Sequence, residues 1–278
     1  MVGLRTFGGF DVDLDGALGR AAGLRPRIKA LLALLIGYGP RGLSRDKILA
    51  YLWPESDTDH ARNSLKQALF SLRHGFSGPI VLWSSGLLRL NPQLFEVDLW
   101  SFESALAKGQ AHTAVSLYRG PFLDGFYVSG LAEFERWSEL ERERLAAAYR
   151  GALKTLAVRA EAEADWPEAI AWWRRLTQCD PYSTPAALGL MKALESSGDP
   201  TGAVEHAHRH AARLQTELDC PVAGEVLSLV QRLGTHWPVH QVKQRAVAVV
   251  PGAEGSARPP DEPRQRWAVR ERHRSETT

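Results

Sequence analysis

Residues 57–76 read DTDHARNSLKQALFSLRHGF, and the interpretation of the whole chain depends on this stretch. Its apolar residues recur at helical spacing, which predicts one amphipathic α-helix with a buried back. These residues are Ala61, Leu65, Ala68, Leu69, Leu72 and Phe76. Asp57, Thr58 and Asp59 stand before them, and such side chains cap helix N-termini and suit the positive end of the helix dipole.

The opposite face of this helix carries side chains that suit DNA bases. It presents Arg62, Asn63, Lys66 and Gln67, and no acidic residue follows Asp59 within the stretch. Arg and Lys donate hydrogen bonds to guanine, and Asn and Gln pair with adenine in the major groove. Taken alone, such a face is more typical of a solvated surface helix, so the flanking sequence has to decide.

The flanking segments predict the parts of a winged helix. Residues 4–14 alternate like short antiparallel strands before a turn at Asp15-Gly16, and Pro26 opens a first helix. Ser44 is placed to cap a second helix that ends at Trp53-Pro54, and residues 80–83 and 87–90 predict a β-hairpin. In such a module the third helix enters the major groove while the hairpin touches the DNA backbone.

This order assigns two sets of DNA-contacting residues. The base-reading set is Arg62, Asn63, Lys66 and Gln67. The phosphate-contacting set is Arg25, Arg27, Lys29, Arg45, Arg73, Ser84, Ser85 and Arg89. The charge distribution agrees, because residues 1–90 hold twelve Lys and Arg against seven Asp and Glu, whereas residues 91–278 hold 22 against 25. An anionic partner is therefore expected at the amino-terminal part.

From Val97 onward the pattern predicts helices only. Helices are expected at residues 98–107, 111–118 and 131–163, the last with a solvated face of Glu–Arg pairs spaced three apart. Asp165 and Asp199, and likewise Ala169 and Ala203, stand 34 residues apart, which is the tetratricopeptide period. The predicted fold class is mainly α with a small β component: a winged helix over residues 1–95 and helical repeats over 96–236. Residues 237–278, rich in Pro, Gly, Ser and charge, predict a disordered tail.

Other functional classes are poorly supported. Gly37 to Gly42 has the glycine spacing of a phosphate-binding loop, but Leu43 stands where a lysine is needed, so a helix-ending loop is expected. His206 and His210 could share a metal, yet a structural zinc site needs four ligands, and a polar helix face explains them. No catalytic set, cofactor or metal site is predicted, and so no enzyme. The absence of an apolar segment of signal-peptide or membrane-spanning length predicts a soluble cytoplasmic protein.

The segments RPRIKALLALL, LSRDKILAYLWPE, ARNSLKQALFSLR and VDLWSFE resemble those of the SARP-type antibiotic regulatory activators of actinobacteria. That family joins an OmpR-like winged helix to a bacterial transcriptional activator domain built on tetratricopeptide helices. The resemblance covers about residues 1–235. It implies a cofactor-free activator that binds repeated promoter sites on double-stranded DNA and contacts RNA polymerase, with a homodimer possible. It also implies that residues 57–76 form the recognition helix. A protein-interaction scaffold, in which the winged helix docks protein instead of DNA, stays open as the alternative.

Overall fold

The computed structural model describes residues 2–13, 24–75 and 79–234. The predicted turn at Asp15-Gly16, the apolar residue Phe76 and the tail from residue 237 lie outside the described residues. Over the described ranges the protein is mainly α-helical, with a small β component near the amino terminus, which confirms the predicted fold class. Among these residues no helix combines the length and apolarity that crossing a membrane requires.

The described ranges contain six short strands and ten α-helices. The strands are β1 (Val2–Arg5), β2 (Asp11–Asp13), β3 (Leu43–Ser44), β4 (Val81–Ser84), β5 (Leu87–Leu90) and β6 (Phe95–Val97). The helices are α1 (Pro26–Tyr38), α2 (Arg45–Leu52), α3 (Thr58–Gly75), α4 (Asp98–Ala107), α5 (Ala111–Leu117), α6 (Ala132–Ala162), α7 (Trp166–Cys179), α8 (Thr184–Ser196), α9 (Pro200–Leu218) and α10 (Gly224–Arg232).

The first three helices and the hairpin follow the predicted order. Helix α1 begins with Pro26 and ends at Gly39, whose positive φ of 48° is a conformation that glycine adopts at low cost. Helix α2 begins where the Ser44 hydroxyl accepts a hydrogen bond from the Lys47 amide. The segment from Gly37 to Gly42 thus contains the end of α1, as predicted for a helix-ending loop. Ser85 and Gly86, both at positive φ, join β4 to β5 in a tight turn.

Two strands were not predicted. Strand β3 pairs with β5 and widens the hairpin to three strands, in the order β3-β5-β4. Strand β6 runs parallel to β1, and β1 is antiparallel to β2, as the alternation of the first residues indicated. Since β6 follows the hairpin directly, the amino terminus is brought back beside the start of the helical part.

The helical part repeats with the predicted period. The Asp165 carboxylate accepts a hydrogen bond from the Glu168 amide at the start of α7, and Asp199 does the same for the Gly202 amide at the start of α9. Ala169 and Ala203 are both completely buried, where α7 and α9 contact their neighbours. Consecutive helices from α6 to α9 pack against each other, so each buries the apolar face of the one before it.

The amino-terminal strands and helices share one core with the helical part, and all described residues belong to one compact unit. The indole Nε1 of Trp100 in α4 donates to the Ile36 carbonyl of α1 at 2.9 Å. Gly37 of α1 faces the Trp137 ring of α6 so closely that an added Cβ would lie 2.5 Å from the ring atom Cζ2. The two parts therefore contact each other directly through α1, α4 and α6.

The long helix α6 carries the predicted Glu–Arg pairs, but one of them is not simply solvated. Glu139 lies 2.8 Å from Arg142, whose side chain is only 21% exposed. The Arg142 guanidinium also donates to the carbonyls of Phe122 and Leu123 at 2.8 and 3.0 Å. Arg142 thus fixes the loop before α6 as well as extending the surface of the helix.

Candidate nucleic-acid interface

Helix α3 is anchored at its start and along its back. The Asp57 side chain accepts hydrogen bonds from the amides of Asp59 and His60 at 3.1 and 3.0 Å, which satisfies two N–H groups that the helix leaves unpaired. These amide bonds and the nearby His60 hold the pKa of Asp57 below its usual range. The back of the helix is buried through Ala61, Leu65, Ala68 and Leu72. The orientation of the helix is therefore set by its apolar side, as the sequence predicted.

The four predicted base-reading residues lie together on the exposed face of α3. Arg62, Asn63, Lys66 and Gln67 are spaced one, three and one residues apart, so they share one side of the helix over about one and a half turns. All four are exposed. Arg62 makes an ion pair with Asp59 at 3.7 Å, and both side chains are largely solvated. Such a pair contributes little to stability, so Arg62 can exchange it for another partner.

One flank of this face opens into a groove of about 1140 Å³. Lys66 and Gln67 line it from α3, and Arg25 and Arg27 line it from the start of α1. The sequence placed these four residues in two different sets, and the structure brings them onto one surface. Three cationic side chains along a single groove form a suitable track for a polyanion.

The same groove contains exposed aromatic residues that sequence reasoning missed. Phe70 of α3 is 61% exposed, and Tyr127 of the loop before α6 is 71% exposed. That loop is fixed in place, because the Val128 amide donates to Glu135 at 2.9 Å in addition to the Arg142 bonds. Phe70 could have been found from its place on the polar side of the α3 pattern, whereas no local signal marks Tyr127.

The remaining candidates for phosphate contact lie around α3 and differ in how exposed their side chains are. Arg73 is exposed in the last turn of α3, and Ser84 and Ser85 are exposed at the tip of the hairpin. Lys29 is half-buried in α1. Arg45 stacks on the hairpin residue Trp83, with 4.0 Å between the guanidinium carbon and the ring centroid. This cation–π contact ties α2 to the hairpin while leaving Trp83 half exposed.

Arg89 of β5 is a partly buried member of the phosphate set. Its side chain packs over Gly42, where an added Cβ would come within 2.8 Å of the Arg89 Cγ. Its Nε is buried and has no hydrogen-bond partner among the residues that the structure describes. Arg89 is therefore constrained by packing in a way that the exposed Arg73 and Arg25 are not.

His210, one of the histidines considered for a metal site, lies beside a hydroxyl and a carbonyl group. His210 is 3% exposed, and its ring nitrogens lie 3.3 Å from the Thr184 hydroxyl and from the Pro181 carbonyl. Within the described ranges, no group of three or more His, Cys, Asp or Glu side chains is arranged to hold a metal ion. Cys179 and Cys220 are exposed and unbridged.

A family model supports a regulatory role for the helical part. Residues 98–233 match the Bacterial transcriptional activator domain. The matched segment begins at the first residue of α4 and ends just after α10. The matched segment therefore includes the loop that carries Tyr127 and the helices α4 to α10.

A solved structure shares the fold over most of the chain. It is Mycobacterium tuberculosis EmbR in complex with a low-affinity phosphopeptide, and it superposes with a TM-score of 0.61 at 22% sequence identity. The alignment covers 84% of this chain and 64% of the EmbR chain, so this chain spans less than two thirds of that protein. Among curated proteins, no sequence matches this chain.

Proposed function

We propose that this protein is a sequence-specific DNA-binding transcriptional activator. In this proposal residues 1–95 form an OmpR-like winged helix, with α3 as its recognition helix and β4–β5 as its wing. The helical domain contacts RNA polymerase or a second copy of the chain. The observation that carries the proposal is the exposed face of Arg62, Asn63, Lys66 and Gln67, with no acidic residue between Asp59 and the end of α3, on a helix whose back is buried.

The exposure and chemistry of each side chain decide whether we assign it to base reading or to phosphate contact. The four residues of the α3 face are exposed and carry the donor and acceptor patterns that distinguish base pairs in the major groove. Arg25 and Arg27 extend the same groove and would neutralise phosphates, which sets position and adds salt-dependent affinity. Arg73 would do so from the far end of the helix. Because Arg89 is packed over Gly42, we assign it the smallest share of the phosphate contacts.

The match to an activator domain supports the regulatory part of the proposal. A module that reads promoter sequence needs a second surface that acts on transcription, and residues 98–233 match a family described by that role. The helical domain also contacts α1 and α2 directly, so the proposed DNA interface and the helical surface share one packed core. No catalytic step is assigned to this chain.

Selection of binding sites from random double-stranded DNA tests the proposal. The full chain is the appropriate reagent, because a fragment ending at residue 95 would cut β6 and remove the Trp137 ring that covers Gly37. We expect enrichment of one short motif, present as a repeat, at moderate salt. Recovery of no motif would contradict sequence-specific DNA binding and favour the protein-interaction scaffold. A matched selection with single-stranded DNA controls for non-specific attraction to phosphates.

A further inference from the structure

The activator domain contains a second groove, remote from the α3 face in sequence, between α7 and α9. Its floor is formed by Leu190 and Leu194 of α8, and its volume is about 570 Å³. One wall is the face of α7 that carries Arg174, Thr177 and Gln178. The other wall is the face of α9 that carries Gly202, Glu205, His206, Arg209, His210 and Arg213. The groove therefore combines an apolar floor with strongly polar walls.

Two of the three arginines along this groove have no carboxylate partner. Among the described residues, Arg174 and Arg209 make no ion pair, and the Arg209 side chain donates a long 3.4 Å hydrogen bond to the Glu205 carbonyl of its own helix. Arg213 lies 3.7 Å from Glu217, which also accepts a hydrogen bond from Tyr182. Guanidinium groups that line a groove and have no carboxylate partner are suited to bind the carboxylate or phosphate groups of a ligand.

The carboxylates of the groove do not cancel this charge. Asp199 is occupied at the start of α9, where it caps the helix. Glu205 is the other acidic residue of the lining. Because Arg213 is paired with Glu217, the positive charge available to a ligand comes from Arg174 and Arg209, which face Glu205.

His206 lies inside the groove among positively charged groups. Its Nε2 is buried and has no hydrogen-bond partner in the described part of the chain. Burial first, and then neighbouring positive groups, lower the pKa of His206 to about 4. These groups are Arg209, His210, Arg213 and Arg174. A ligand in the groove would therefore meet a buried ring nitrogen that has no partner among the described residues, beside cationic side chains.

We propose that this groove binds an acidic peptide segment of a partner protein. Arg174 and Arg209 would bind its carboxylates from opposite walls, while Leu190 and Leu194 contact its apolar atoms. Stacked helical repeats present extended concave surfaces of this kind to peptides. The tail of this chain does not have the complementary charge, because residues 238–278 hold eight Lys and Arg against five Asp and Glu. The occupant is therefore a second protein.

Fluorescence anisotropy of the full chain with fluorescein-labelled deca-glutamate tests the proposal. Replacing Arg174→Glu together with Arg209→Glu should weaken binding by at least about tenfold, because both attractive charges become repulsive. Lys192→Glu, an exposed charge reversal on α8 outside the groove, should change the affinity by no more than about twofold. Lys66→Glu measures how much of the probe binds at the cationic α3 face, and its loss of affinity should be smaller than that of the Arg174 and Arg209 double variant.

The possible results separate the alternatives. Unchanged affinity in the Arg174 and Arg209 double variant, or a loss in Lys66→Glu as large as the loss in that double variant, would overturn the proposal. Saturation of the site by inorganic phosphate at the same affinity as the peptide would also overturn it, since the ligand would then be a small anion. NMR of the His206 ring provides a second measurement. Peptide binding should raise the pKa of His206 from about 4, and an unchanged titration would contradict occupation of the groove.

Discussion

Asp98 connects the residues after the first strand to the helical part, and its replacement should be among the most destabilising single changes in the chain. Its carboxylate accepts hydrogen bonds from the Thr6 amide at 2.8 and 2.9 Å, from the Thr6 hydroxyl at 2.7 Å and from the Phe7 amide at 3.0 Å. Thr6 is fully buried and Phe7 nearly so. Asp98 itself is half-buried, but the two residues that donate to it are buried, so their amides have little access to water in Asp98→Ala.

The magnitude follows from the donors left behind. Each buried donor without a partner costs about 1–3 kcal/mol, and two backbone amides lose theirs while the Thr6 hydroxyl can rotate to another acceptor. Asp98→Ala should therefore lower the free energy of unfolding by about 3–5 kcal/mol. Asp98→Asn keeps one acceptor oxygen and should cost about 1–3 kcal/mol.

Urea denaturation followed by tryptophan fluorescence measures this loss. Glu96→Ala is the matched control, because Glu96 is an exposed carboxylate on β6 two residues away. Its effect should stay within about 0.5 kcal/mol. A loss below about 1 kcal/mol in Asp98→Ala would refute the reasoning, since the buried amides would then have to find other partners.

Three further predictions concern the interface, the core and the groove. Lys66→Ala should lose about 1–3 kcal/mol of DNA-binding free energy at one base position. Arg73→Ala should weaken binding to all DNA sequences alike and reduce the salt dependence of binding. Equal losses on every sequence for both variants would contradict base reading by Lys66. Gly37→Ala brings its Cβ 2.5 Å from an indole ring of α6 and should destabilise by about 1–2 kcal/mol. Gly151→Ala, in open space on an exposed helical surface, should stabilise by up to about 1 kcal/mol when both variants are measured by urea denaturation. Folding lowers the pKa of His206 from 6.5 to about 4, so the unfolded state binds more protons than the folded state between these pH values. The free energy of unfolding should therefore fall as the pH is lowered from about 6.5 to 4. In His206→Gln this part of the pH dependence should be absent.

The features that sequence predicted well are local ones. Helix α3 begins and ends within one residue of the predicted stretch, because its cap at Asp57 and its apolar spacing both depend on residues a few positions apart. The caps at Asp165 and Asp199 were found for the same reason. The base-reading set could be placed on one exposed face, since helical periodicity alone fixes which residues point together.

The features that sequence missed depend on distant partners. Strand β6 has three residues and pairs with a strand more than ninety positions earlier, so no periodic signal marks it. Tyr127 meets the α3 groove only because Arg142 and Glu135 hold its loop. The surroundings of His206 come from α7 and α8, so its spacing within α9 could not reveal a groove.

Comparison of the DNA motifs selected by the wild-type chain and by Asn63→Ala tests the central claim most directly. If the exposed face of α3 reads bases, the variant should lose discrimination at one or two positions of the motif and keep the remainder, because Asn63 contacts one base while the phosphate contacts persist. Asp59→Ala, which removes the ion-pair partner of Arg62, controls for changes of charge at the start of the helix. An identical motif from the Asn63→Ala variant and from variants at the other three face positions would contradict the assignment of α3 as the recognition helix.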